Sequence, residues 1–99
     1  MNRMDIHVEV SGRVQGVGYR AWLAQAAGTL GIAGWVRNRR DGGVEAVLSG
    51  GKKNVESALA LMERGPPGAQ VMDIAVRPVD ESDLALLPEN AEFSILPDA

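Results

Sequence analysis

The hydrophobic period of this 99-residue chain switches twice from the alternation of a strand to the three-to-four-residue spacing of a helix and back. An Asp-Gly turn lies between the two switches, and a Gly-Pro-Pro-Gly break follows the second helical stretch. That order predicts an α+β fold, the ferredoxin-like split βαβ sandwich: β-α-β-β-α-β plus a short terminal strand, one antiparallel sheet with two helices on one face. A single domain, 1-99, is expected, since two cores would each fall below about 50 residues.

Ile6, Val8 and Val10 alternate with His7, Glu9 and Ser11, a half-buried strand that Gly12 ends. His7 then sits on the polar face and reads as solvent-facing. A polar, glycine-containing loop runs to Gly18. From there Tyr19, Leu23, Ala26/Ala27 and Leu30 recur at helical spacing, and Gly31 closes the helix. Ile32 to Asn38 reads as a second strand, with Trp35 and Arg37 on one face and Val36 on the other. Arg39-Arg40-Asp41-Gly42-Gly43 turns it back into a third, in which Val44, Ala46 and Leu48 alternate with Glu45 and Ser49. A second helix, Lys52 to Arg64, carries the stripe Val55, Ala58/Leu59 and Met62. Val71 to Val79 forms a fourth strand, with Met72, Ile74 and Val76 on one face. Asp80 to Glu92 reads as a solvated acidic loop, and the last strand lies around Phe93-Ser94-Ile95-Leu96.

Composition narrows the chemistry. The absence of cysteine removes disulfides, thiolate metal sites and Cys nucleophiles, and the single histidine leaves no Ser-His-Asp triad or His-built metal centre to assemble. No stretch approaches the ~20 apolar residues of a membrane span, so a cytoplasmic chain without a membrane partner is expected. The net charge of −3 hides a division: residues 1–53 hold eight Lys/Arg and four Asp/Glu, whereas residues 54–99 hold two and nine. Ten of the 12 glycines also fall between Gly12 and Gly51. Basic side chains and permissive backbone share one half of the chain, where an anion site would need them.

The fold assigns no activity by itself. Binding of RNA on such a sheet needs aromatic stacking platforms on the central strands. Of the four aromatics, Tyr19, Trp22, Trp35 and Phe93, none lies on the first or third strand, and no nucleic-acid partner is expected. The loop from Gly12 to Arg20 is more informative. It joins a strand to a helix start, where unpaired N–H groups and the positive end of the dipole suit an anion, and Gly16 and Gly18 let an oxyanion approach the backbone. No Lys-Ser/Thr pair follows, so this is no Walker loop. From these features alone the loop suits a small phosphate or carboxylate, or is a glycine-rich connection with exposed arginines. Asn38, beside Arg-Arg-Asp-Gly, reads by itself as a strand-end or turn asparagine.

The segment GRVQGVGYR, Gly12 to Arg20, resembles the phosphate-loop signature of the acylphosphatases. Gly34-Trp35-Val36-Arg37-Asn38, followed by Gly42, Val44 and Gly50, is similar to that family's second signature, and the likeness continues through Gly65-Pro66 to Phe93 and Ile95. Tyr19 stands where many members carry Phe. The resemblance implies hydrolysis of the carboxyl–phosphate bond of an acyl phosphate, with inorganic phosphate as product and competitive ligand, and no metal or cofactor. It implies that Arg20 and the backbone N–H groups of Gln15, Gly16, Val17, Gly18, Tyr19 and Arg20 hold the phosphate. It implies that Asn38 holds the attacking water. The chemistry suits this chain: a carboxylate whose acid has a pKa near ~4 leaves without a general acid. A loose phosphoryl-transfer transition state asks mainly for positioning and charge. A monomeric enzyme is expected; the alternative is a non-catalytic module that senses a phosphorylated metabolite.

Overall fold

In a computed structural model, which describes residues 2–90 and 92–99, the strands β1 (Arg3–Arg13), β2 (Ala33–Asn38), β3 (Val44–Gly51), β4 (Gln70–Pro78) and β5 (Phe93–Ile95) form one sheet. Its order is β4-β1-β3-β2-β5. The helices α1 (Tyr19–Leu30) and α2 (Lys52–Arg64) follow β1 and β3, and a short α3 (Glu81–Ala85) precedes β5. The split βαβ class predicted from periodicity is the one observed.

The alternation in β1 decides where the core lies. Ile6, Val8 and Val10 point to one face with Val36, Ala46 and Leu48, where they meet Tyr19, Leu23 and Ala27 of α1 and Val55, Ala58 and Met62 of α2. Both predicted helical stripes therefore face the sheet, and burial of such side chains, at roughly 1.5–3 kcal/mol each, is what holds the layers together. β1 pairs antiparallel with β3 from Arg3↔Gly51 to Val10↔Val44, and β2 pairs antiparallel with β3 from Ala33↔Ser49 to Asn38↔Val44. β1 and β2 thus run the same way on either side of β3. Their C-terminal ends, Arg13 and Asn38, emerge at the same end of the sheet, which brings the turn after β1 to the same end as Asn38.

Four expectations need correction. The sheet is mixed, because β5 lies parallel to β2, with Gly34↔Phe93 and Val36↔Ile95. β4 and β5 occupy opposite edges, so the chain between them must cross a face of the sheet. The acidic stretch that makes this crossing is no solvated loop. Asp80 caps α3 by accepting from the Asp83 N–H at 3.0 Å, while Asp83 accepts from the Asp80 N–H at 2.9 Å. Asp83 is buried and takes two hydrogen bonds from Arg77, at 2.7 and 3.2 Å.

The Asp83 carbonyl accepts from the Trp35 indole at 3.0 Å, which seats α3 over the face opposite α1 and α2. Trp35 is fully buried there and packs edge-on against His7, so His7 is buried too and not solvent-facing. Its partner is Glu45, with His7 Nε2 to Glu45 Oε2 at 2.8 Å. Finally, the β1–β4 register shifts between Ser11 and Gly12, whose partners are Asp73 and Val71. Met72 is the extra residue of that bulge. It is 83% exposed, whereas Val71 and Ile74 pack on the core.

Candidate active site

Arg13 ends β1, and the chain must reverse within five residues to start α1 at Tyr19. Gly16 and Gly18 make that turn possible, with φ of 76° and 79°, a left-handed region that costs other residues dearly. A Cβ at either position would project into open space. Gly18 is also the N-cap of α1. No side chain caps this end and its first turn holds no acidic residue, which leaves the first N–H groups of the helix open to an anion.

A cavity of about 240 Å³ opens at this helix start, lined by Gly16, Gly18, Tyr19 and Arg20 on one side and Asn38 on the other, with Val14, Ala21 and Ile95 completing the wall. Two segments eighteen residues apart in sequence thus share one hollow because β1 and β2 point the same way. Among the residues expected at the site, Gln15 and Val17 do not line it. Val17 packs against the core, and the Gln15 side chain donates to the carbonyls of Arg39 at 2.9 Å and Gly43 at 2.8 Å. A larger hollow of about 450 Å³ at the start of α2, along Gly51 to Asn54 and Glu56, includes none of the expected residues.

Arg20 is half-exposed, and its Nη1 donates to Asp98 Oδ1 at 3.3 Å. A cation in the first helical turn opposes the dipole, so Arg20 gains from an anion set between itself and the open N–H groups. Asn38 is 8% exposed, and its Oδ1 is buried with no hydrogen-bonding partner among the described residues. A buried amide oxygen left this way costs about 1–3 kcal/mol unless something donates to it. The backbone carbonyl of Asn38 is occupied by the Ala99 N–H at 3.0 Å. The tail that follows β5 therefore lies along the end of β2 and brings Asp98 to Arg20. Neither Asp98 nor Ile95 carries a local signal for this role; both arrive through the parallel pairing of β5.

Tyr19 starts α1 but sends its ring into the core. Its hydroxyl donates to the Met62 carbonyl at 2.7 Å. The residue four positions after Met62 is Pro66, which has no N–H, so Tyr19 satisfies a carbonyl that the helix cannot. Burial pushes its phenol well above the usual range. Tyr19→Phe is expected to lower stability by about 1–2 kcal/mol, read as a lower urea midpoint at unchanged slope.

Behind Asn38, on the face covered by α3, Glu45 receives Arg37 Nε at 2.6 Å and His7 Nε2 at 2.8 Å, and Arg39 Nη1 donates to Glu9 at 2.9 Å. Among the described residues, His7, Glu9 and Glu45 are the group whose ligand atoms lie close enough for one cation, within 4.8 Å. The guanidinium groups of Arg37 and Arg39 already neutralise both carboxylates, and a cation would have to displace them. Burial works to raise the Glu45 pKa, but the hydrogen bonds from Arg37 and His7 outweigh it and hold the carboxyl below its usual range. A depressed carboxylate adds stability above its unfolded pKa and loses it as pH falls through the folded one. The Glu45 contribution is therefore expected to be intact above about pH 5 and to be lost below about pH 4, so the acid-side decline in stability, followed by urea unfolding across pH, should be less steep in Glu45→Gln.

The acylphosphatase family model matches residues 6–95. A protein named acylphosphatase from Rhodopseudomonas palustris is 48% identical over 96 residues, which cover 97% of each chain. One from Bradyrhizobium diazoefficiens is 43% identical over 97 residues, 98% of each chain. Among solved structures, an acylphosphatase from Coxiella burnetii superposes with a TM-score of 0.81 at 30% identity, covering 96% of this chain and 94% of that one. Among the described residues, no helix is long and apolar enough to cross a membrane.

Proposed function

The chain belongs to the acylphosphatase family and is a hydrolase acting on acyl phosphates; on that premise we propose how its residues perform the reaction. The phosphate sits at the start of α1, held by backbone N–H groups of the Gln15–Arg20 turn and by Arg20. Guanidinium suits the task because it donates two parallel hydrogen bonds to phosphate oxygens and keeps its charge. Asn38 orients the attacking water: Oδ1 accepts one of its hydrogens and Nδ2 is free to donate to a phosphate oxygen. Water adds in line at phosphorus as the bond to the acyl oxygen breaks. The carboxylate departs unprotonated, and a phosphate oxygen takes the water's proton, so no side-chain acid or base is needed. All of these groups come from one chain, so a monomer suffices.

The observation that carries this reading is the buried, unpartnered Oδ1 of Asn38 in the wall of the cavity that Gly16, Gly18 and Arg20 also line. A module that only senses phosphate would need the turn and the arginine but gains nothing from a buried amide oxygen without a donor. The test is phosphate release from benzoyl phosphate, with inorganic phosphate as competitor and with EDTA present. Turnover that persists in EDTA and is inhibited competitively by phosphate is expected. Turnover that vanishes in EDTA and returns with Mg²⁺ would overturn the scheme, because it leaves no step for a metal.

A further inference from the structure

The phosphate turn and Asn38 belong to different strands with β3 between them, and the side chain that joins them is Gln15. Its Nε2 donates to the carbonyls of Arg39, the residue after Asn38, and of Gly43, the residue before β3. These two carbonyls stand at the mouth of the β2–β3 hairpin, which the Arg39 N–H closes onto the Gly43 carbonyl at 2.8 Å. The hairpin is itself braced: Arg39 donates to Glu9 at 2.9 Å and to Asp41 at 3.1 Å, and Asp41 accepts from the Gly43 N–H at 2.9 Å. Gln15 therefore hooks the turn at the peptide before Gly16 onto a rigid body that carries Asn38. Both partners are carbonyl oxygens, so the amide uses both of its N–H bonds as donors.

We propose that Gln15 is a positioning residue for hydrolysis, whose side chain fixes the phosphate turn relative to the Asn38 amide without touching substrate. The inference rests on the reading of Asn38 as the holder of the water. Each half of the site keeps its own structure when the hook is cut: the turn by its glycines and α1, and Asn38 by its place in β2. What is lost is their mutual geometry. An error of about 1 Å between a held phosphorus and a held nucleophile costs on the order of 10²-fold in rate, while binding of the phosphate alone is barely touched.

The experiment compares Gln15→Met, which keeps length and volume but has no donor, with Gln15→Lys, which keeps N–H donors for the two carbonyls on a longer, less defined stem. Both are made in the wild-type and the Asn38→Ala backgrounds, with kcat on benzoyl phosphate and the Ki of inorganic phosphate as readouts. Gln15→Met is expected to lower kcat by about tenfold or more while the Ki changes less than about threefold, and Gln15→Lys to fall between it and wild type. In the Asn38→Ala background, Gln15→Met should cost nothing further. A Ki that rises as much as kcat falls, or losses that add in the double variant, would reduce Gln15 to shaping the turn and overturn the proposal. Full turnover in Gln15→Met with an impaired Asn38→Ala would overturn it alone. Full turnover in Asn38→Ala would instead remove the water-holding reading on which it rests.

Discussion

Arg20→Ala is expected to abolish turnover of benzoyl phosphate and to remove detectable binding of inorganic phosphate by calorimetry. Arg20 is the charged side chain in the wall of the cavity, so its loss leaves the anion to backbone dipoles alone. A charge-assisted pair is about twice as strong as a neutral hydrogen bond, and here its strength should rise as charge spreads over the phosphoryl oxygens in the transition state. Arg20→Lys should still lose about 10²-fold or more, since an ammonium keeps the charge but not the planar fork. Asp98 engages Nη1 only, which leaves the Nε and Nη2 edge of the guanidinium for two parallel bonds to phosphate. Near-wild-type kcat/KM in Arg20→Lys would mean that point charge, not geometry, is what the site uses.

Asn38→Ala has the second largest expected effect and the opposite kinetic form. It should lower kcat by about 10²-fold with little change in KM, the pattern of a group that acts on the transition state and not on ground-state binding. Removing the amide also removes a buried oxygen without a partner, so stability should not fall in proportion to activity and can rise. Parallel measurement of kcat and of the urea midpoint separates the two consequences. A variant with unchanged kcat would leave the nucleophilic water without a holder among these residues.

Local signals carried the elements whose neighbours are themselves local. The alternation of Ile6, Val8 and Val10, the spacing of Tyr19, Leu23 and Ala27, and the Asp-Gly turn each state a geometry that a few consecutive residues enforce. The burial of His7 is different in kind, because it depends on Glu45, 38 residues away, and on a helix that covers Trp35. The parallel β5 is likewise a matter of where the chain can go after β4 has taken an edge. α3 did leave a trace: Asp80 and Asp83 stand three apart, as a reciprocal cap requires, ahead of Leu84. Four charged or polar residues in a row read more readily as a solvated run. Met72 went astray because it is the bulged residue, which drops out of the alternation that Ile74 and Val76 keep. At the site, Arg20 and the two glycines are legible from a helix start that lacks a cap. Asn38 becomes legible only beside the family's second signature, and Asp98 only in three dimensions.

The shared direction of β1 and β2 on either side of β3 has a mechanical meaning. Val10 of β1 and Asn38 of β2 both pair with Val44, so where β1 parts from β3 the two strands stand two interstrand spacings apart, roughly 10 Å, a length set by main-chain hydrogen bonds. β3 is in effect a spacer bar. Such a dimension is indifferent to which residues clothe the outer faces of the helices, and it changes only if a strand leaves the sheet. The coarse spacing of the two strand ends therefore inherits the tolerance of a β-ladder, which leaves only the fine placement of the turn to a side chain such as Gln15.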